Sequence, residues 1–151
     1  MEYSYEIEVD VPYSVMIELL EDPQNRSRWQ PELSGHLLMS GEPGQVGAQT
    51  KLTYNMNGRP LEIIELITTR DLPNEKSARY ETRGLIMHVT HRFAEIGPGT
   101  TFWRQETEID FTNFLTKLIG YFMPQLFRDQ TWKSMNLFKR FAEQTYRAAP
   151  S

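Results

Sequence analysis

Between residues 32 and 111 the chain is cut by turn-forming groups, and the stretches between them alternate apolar with polar side chains. The groups are Gly41-Glu42-Pro43-Gly44, Asn57-Gly58, Asp71-Leu72-Pro73-Asn74, Thr82-Arg83-Gly84 and Gly97-Pro98-Gly99. Glycine and asparagine supply the positive φ of tight hairpins, and segments of roughly 8 to 12 residues between such signals are the mark of an antiparallel meander. Six strands are predicted here. Leu52, Tyr54 and Met56 share one face against Lys51, Thr53 and Asn55, while Trp103, Gln105, Thr107, Ile109 and Phe111 oppose Arg104, Glu106, Glu108 and Asp110. A seventh strand precedes them, with Tyr3, Tyr5, Ile7, Val9 and Val11 on one side and Ser4, Glu6, Glu8 and Asp10 on the other.

Helical spacing appears in three places. After Pro12, the recurrence of Val15, Met16, Leu19 and Leu20 predicts a short amphipathic helix. Asp22-Pro23 then reads as an N-cap with proline in the first turn, opening a second short helix that runs towards Trp29 and stops at Pro31. From about 125 to 146, Leu126, Phe127, Gln130, Thr131, Ser134, Met135, Phe138, Phe141, Ala142 and Thr145 fall at helical intervals. A helix of about 21 residues spans ~31 Å, enough to cross a whole sheet.

These elements do not match in width. Seven strands at ~4.8 Å spacing make a wall ~30 Å wide, whereas a helix with its side chains is only ~10 to 12 Å across. The sheet must curl around the helix, and the space left inside must hold large side chains, the two short helices or a guest molecule. The chain has the fillers, with 8 Phe, 7 Tyr, 3 Trp and 7 Met. A packed interior and an apolar pocket both remain open. The expected class is α+β, a seven-stranded curved antiparallel sheet around a long C-terminal helix, with two short helices between strands 1 and 2. No second domain has a place to start, so residues 1–151 are read as one domain.

Composition narrows the chemistry. With no cysteine, disulfides, thiolate nucleophiles and cysteine-held metals are excluded. Lys plus Arg number 16 against 20 Asp plus Glu, a net charge of -4, which argues against binding a nucleic-acid backbone. Residues 1–10 alternate and carry Glu2, Glu6, Glu8 and Asp10, unlike an export signal. The apolar stretch 114–127 is interrupted by Lys117, Gly120, Pro124 and Gln125 and is too short for a span. The expectation is a soluble, cytoplasmic protein. Gly41, Gly44 and Gly47 lack the Lys-Ser/Thr ending of a phosphate loop and sit between strands, which makes them a hairpin turn.

Several runs resemble one family. They are Val9-Asp10-Val11-Pro12-Tyr13-Ser14-Val15, Leu19-Leu20-Glu21-Asp22-Pro23, Trp29-Gln30-Pro31, Gly41 to Gly47, Gly99-Thr100-Thr101, and Phe138-Lys139 with Glu143. Together they resemble the START-related superfamily, also called SRPBCC or the polyketide cyclase/dehydrase and lipid transport superfamily. The resemblance covers nearly the whole chain and marks an architecture, the helix-grip fold, rather than an active site. It implies a deep cavity under the C-terminal helix for hydrophobic or amphipathic small molecules, in members that range from carriers and receptors to cyclases and chaperone activators.

Candidate site residues follow from strand parity. His88 and His91 point to opposite faces of strand six and cannot jointly hold a metal, so no metal and no cofactor are expected. If the apolar set faces inward, His91 is the titratable imidazole of the cavity wall and the weak candidate for a catalytic proton carrier. A one-residue register slip would exchange it for His88. Tyr54, Tyr80, Gln105 and Thr131 are candidate polar contacts to a ligand, and Met56, Met87, Trp103, Phe122, Met123 and Phe127 are candidate apolar lining. For each, internal packing or hydrogen bonding is the competing reading. Glu62 and Glu65 fall on opposite faces of an ideal strand, against a paired carboxylate site, and the other charges are read as solvated faces. The 114–127 segment is core, a gate over the cavity, or a contact surface for a second copy or a membrane leaflet.

Three functions stay in play. The first is binding or transport of a hydrophobic or amphipathic small molecule (a lipid, isoprenoid or polyketide-like compound). The second is a polyketide cyclase/dehydrase-like enzyme using the same cavity. The third is a chaperone-activator-like interaction module. The expected partner is a hydrophobic small molecule, with no nucleic acid, no integral membrane span and homodimerisation open.

Overall fold

The computed structural model describes residues 1–149; the last two residues of the expected 1–151 domain lie outside the described residues. Seven strands form one antiparallel sheet: β1 (Glu2–Val9), β2 (Leu33–Ser40), β3 (Gln49–Met56), β4 (Arg59–Asp71), β5 (Glu75–Thr82), β6 (Leu85–Glu95) and β7 (Thr101–Phe111). Their order is β1-β7-β6-β5-β4-β3-β2, a meander from β2 to β7 that brings the first strand back beside the last. The turn residues act as their chemistry dictates. Asn57 and Gly58 both have positive φ, 54° and 83°, as a two-residue hairpin between β3 and β4 demands.

Between β1 and β2 run α1 (Tyr13–Glu21), a 3₁₀ turn at Pro23–Asn25 and α2 (Arg26–Trp29). Asp22 caps this entry by accepting from the Gln24 amide at 2.9 Å. The long helix α4 spans Gln125–Ala148, two residues beyond the sequence expectation, and lies against the concave face. This is the helix-grip fold.

The packed half of the interior sits where α1 and α4 meet β1, β6 and β7. Val9, Val11, Met16, Phe93, Trp103, Met135, Phe138 and Ala142 form its core. Each comes from the face that period 2 or period 3.6 assigns inward, so the sequence pattern and the packing agree. Trp103 and Phe138 meet edge to face with ring centroids 5.4 Å apart.

The apolar 114–127 segment forms a separate helix, α3 (Phe114–Phe122), capped by the Asn113 side chain, which accepts from the Thr116 amide at 2.9 Å. It rests on the sheet through Thr116, whose hydroxyl donates to Gly84 O at 2.6 Å, and through Gly120, which lies flat against the Phe111 ring. A Cβ on Gly120 would come within 2.4 Å of that ring. The opposite side of α3 presents Phe114, Leu115, Tyr121 and Phe122 to the surface. Among the described residues no helix is long and apolar enough to cross a membrane.

Candidate functional site

A cavity of about 470 Å³ opens in the other half of the interior. Its walls come from the end of α1 through α2 (Leu20 to Trp29), from β2 and β3 with their connecting loop (His36, Leu38, Pro43 to Gln45, Thr50, Leu52), and from the inner faces of β4, β5 and β6. No α4 residue is part of this lining, so the void is not the space under the C-terminal helix that the sequence reading placed it in. The physical reason is that α4 packs tightly over β1 and β7 with large side chains. The part of the sheet that curls beyond the helix, from β6 to β2, is roofed by the two short helices instead.

The cavity wall is more polar than sequence pattern alone suggested. On β4, Glu65 alternates with the apolar Ile67 and so faces inward, opposite Tyr80 of β5. It receives Arg26 Nη2 of α2 at 2.9 Å, and the side chains of this pair are 18% and 13% exposed. Arg26 Nε donates to Gln30 Oε1 at 3.1 Å, and the Tyr54 hydroxyl donates to the same oxygen at 2.8 Å. Burial opposes ionisation of Glu65, but the Arg26 charge and hydrogen bond outweigh it and hold the carboxyl below its usual value. Burial, followed by the Glu65 charge, pushes the Tyr80 hydroxyl up, which keeps it protonated.

A second ionic group stands near the loop end of the cavity. Glu21 of α1 takes Arg70 of β4 bidentately, with Arg70 Nη2 at 2.7 Å from Oε1, and Lys76 Nζ of β5 at 2.8 Å from Oε2. Arg70 also donates to the Gly44 carbonyl at 3.3 Å, tying the β2–β3 loop to the same cluster. Burial raises the Glu21 pKa, yet the two cations overcome it and bring it to about 2. A bulge puts Arg70 there. Ile67 pairs with Ala78 but Thr69 with Ser77, so one extra β4 residue reverses the parity and aims Arg70 inward beside Lys76.

His91 is the inward histidine of β6, and His88 faces out beside Asp110. The Trp103 indole N–H donates to His91 Nδ1 at 3.1 Å, which leaves Nε2 as the protonated nitrogen. Burial first, then the nearby Lys76 and Arg26 charges, lowers its pKa to about 3. His91 is therefore a neutral hydrogen-bond donor at neutral pH.

Of the sequence candidates, Tyr80 and His91 line the cavity, and Tyr54 stands behind it through Gln30. Trp103 is core and reaches the wall only through His91. Gln105 pairs with His91 in the β6–β7 ladder, and Met87 pairs with Tyr80; neither is part of the lining. Thr131 is hydrogen-bonded to the Tyr3 hydroxyl at 2.9 Å, and the same hydroxyl donates to the Phe127 carbonyl at 3.1 Å. Phe127 packs its ring on Phe111, 5.6 Å between centroids. Met56, Phe122 and Met123 lie on the surface. Sequence reasoning did not single out Glu21, Arg26, Arg70 and Lys76, whose partners are distant in the chain; parity with Ile67 and with Ala78 and Tyr80 was the available signal for Glu65 and Lys76. Among the described residues no group of three or more His, Asp or Glu side chains is placed to hold a metal ion.

The chain is thus a helix-grip protein with a lined internal cavity. The family model described as polyketide cyclase / dehydrase and lipid transport matches residues 1–140, and the chain belongs to that family. No curated protein matches the sequence. Among solved structures, the ZhuI aromatase/cyclase from Streptomyces sp. R1128 is similar, with a TM-score of 0.81 at 13% identity over 100% of this chain and 98% of its own. A START superfamily protein from Mycobacterium smegmatis gives 0.76 at 14% identity, covering 95% and 98%. A conserved protein from Geobacillus kaustophilus gives 0.77 at 9% identity, covering 96% and 97%. At these identities the likeness is one of fold.

Proposed function

We propose that the protein binds an amphipathic small molecule, lipid-like or polyketide-like, in the cavity between the short helices and strands β2 to β6. The observation that carries the reading is the cavity itself: about 470 Å³, inside the ~300 to 1,000 Å³ range of small-molecule sites, with apolar walls and a few convergent polar groups. Leu20, Trp29, Leu38, Leu52, Ile67 and Ala78 supply the walls. Arg26, Glu65, Tyr80 and His91 supply the groups that orient a guest. A void of this size also favours binding over the reading as a pure interaction module.

A cyclase-like reaction is a second reading, favoured by the cationic and N–H donors facing the cavity, which would polarise the carbonyls of a folded chain. In it His91 donates a hydrogen bond and does not take up a proton, because its pKa of about 3 leaves it a very weak base.

The test is native mass spectrometry of gently purified protein, followed by a thermal-shift panel of fatty acids, isoprenoids and aromatic polyketides. A ligand at 100 times its Kd adds ~2.7 kcal/mol to the folded state, which for a chain of this size raises Tm by roughly 5 to 10 °C. The shift should shrink in Ala78→Leu, which narrows the cavity from β5 without altering its charges. Absence of both a bound mass and any shift across the panel would refute the proposal.

A further inference from the structure

We infer that the guest of this cavity carries a carboxylate, received by an inward row of donors formed by Arg70, Lys76 and His91. The inference rests on the binding reading above and names the head group. These three residues occupy one rung of the sheet: Arg70 of β4 pairs with Lys76 of β5, and Lys76 pairs with His91 of β6. All three line the cavity. The β4 bulge is what completes the row, since without it Arg70 would point to the outer face.

Donors and acceptors along the rung do not balance. Arg70 and Lys76 carry two positive charges, and the carboxylate that answers them is Glu21. Arg70 is occupied by Glu21 and the Gly44 carbonyl. Lys76 bonds Glu21 alone among the described residues, which leaves two of the three N–H groups of its ammonium without a protein acceptor. The His91 Nε2–H, opposite the nitrogen that accepts from Trp103, has no protein partner among the described residues either. The remaining charges near the cavity do not cancel this excess. Glu65 is matched to Arg26 at 2.9 Å, and Asp22 sits exposed at the rim with one oxygen on the Gln24 amide. The rung is thus one positive charge and several N–H donors in surplus, with Lys76 only 20% exposed.

A carboxylate meets both needs. It supplies one negative charge and up to four acceptor sites, and charge-assisted hydrogen bonds are about twice as strong as neutral ones. A hydroxyl or ketone leaves the charge unanswered, and an ammonium head is repelled. The apolar body then runs from the rung along Ile67, Ala78 and Leu52 towards Trp29.

The test compares matched probes on the full-length protein by calorimetry at pH 7.5: dodecanoate, dodecanol and dodecyltrimethylammonium, with 2-naphthylacetate and 2-(2-naphthyl)ethanol as an aromatic pair. The expected result is at least about tenfold tighter binding of an acid than of its alcohol, and no binding of the ammonium compound. Lys76→Met should bring acid and alcohol to within about threefold of each other, chiefly by weakening the acid. Glu21→Gln, which removes the competing carboxylate, should tighten the acid and not the alcohol; a purely structural role for the cluster would weaken both alike. Equal binding of acid and alcohol, or loss of both probes together in Glu21→Gln, overturns the head-group assignment and leaves the binding reading standing. Failure of every probe to bind overturns both.

Discussion

Replacing Arg26 with methionine isolates the cost of the charge beneath the short helices. The substitution keeps much of the aliphatic bulk but leaves Glu65 facing a cavity wall with its principal cation removed. Breaking a buried pair from one side typically costs ~3 to 5 kcal/mol. Because both side chains retain some solvent contact, 18% and 13%, the low end applies, about 3 kcal/mol. At ~2 to 4 °C per kcal/mol for a chain of this length, Tm should fall by roughly 6 to 12 °C. The effect carries a definite pH signature. In the native protein the folded Glu65 pKa lies below its unfolded value, so the pair's contribution is complete above the unfolded pKa of ~4.3 and is lost as pH falls through the folded one. Without Arg26, burial raises the folded pKa above the unfolded value, and the variant loses stability as pH rises through that window. The deficit is therefore largest at pH 7.5 and shrinks by pH 4.5. Urea unfolding at both pH values, with Arg26→Met, Glu65→Gln and the double variant as a cycle, measures it. The double variant should recover most of the loss. A deficit under about 1 kcal/mol at pH 7.5, or a double variant no more stable than Arg26→Met, would refute the reasoning.

Other consequences can be checked directly. His91, with its pKa down near 3, should show no titration in its ring proton resonances between pH 8 and 5. Since the unfolded chain takes up that proton near pH 6.5, His91 should cost the fold ~1.4 kcal/mol per pH unit on acidification below that value, and His91→Phe should flatten the acid limb of the stability curve. Gly120→Ala should destabilise by ~1 to 3 kcal/mol, because a methyl there collides with the Phe111 ring; denaturant unfolding gives the number. Phe138→Ala, at the centre of the packed half, should cost ~3 to 5 kcal/mol by the same measurement. Phe122→Ser on the exposed face of α3 should stay within ~0.5 kcal/mol of the parent.

The sheet and the long helix were legible because their signals are local. Turn residues mark hairpin ends, and period 2 assigns faces, so the inward set Trp103, Ile109, Leu52 and Tyr54 could be read from spacing. The site was less legible because its chemistry is non-local. Arg26 and Glu65 are 39 residues apart, and Glu21 meets Lys76 across 55, distances at which no sequence spacing carries information. The bulge after Ile67 reverses the parity that would have sent Arg70 outward, and nothing in the run Ile67-Thr68-Thr69-Arg70 announces it. The position of the void was missed for a related reason. Widths predict that a space must exist, but where it lies depends on how closely Phe138 and Met135 seat α4 against β7 and α1, which is a matter of packing.

The two halves of the interior have separate tolerances. Residues under α4 are interlocked, so a change at Phe138 or Trp103 is felt throughout, whereas the walls beyond the helix enclose empty space and can be reshaped one side chain at a time. Side chains of α2, β3 and β5 can thus be retailored while the scaffold that holds them keeps its grip, and the rigid side bears on the adaptable wall at two places, the Trp103–His91 hydrogen bond and the edge-to-face contact of Trp29 with Phe138.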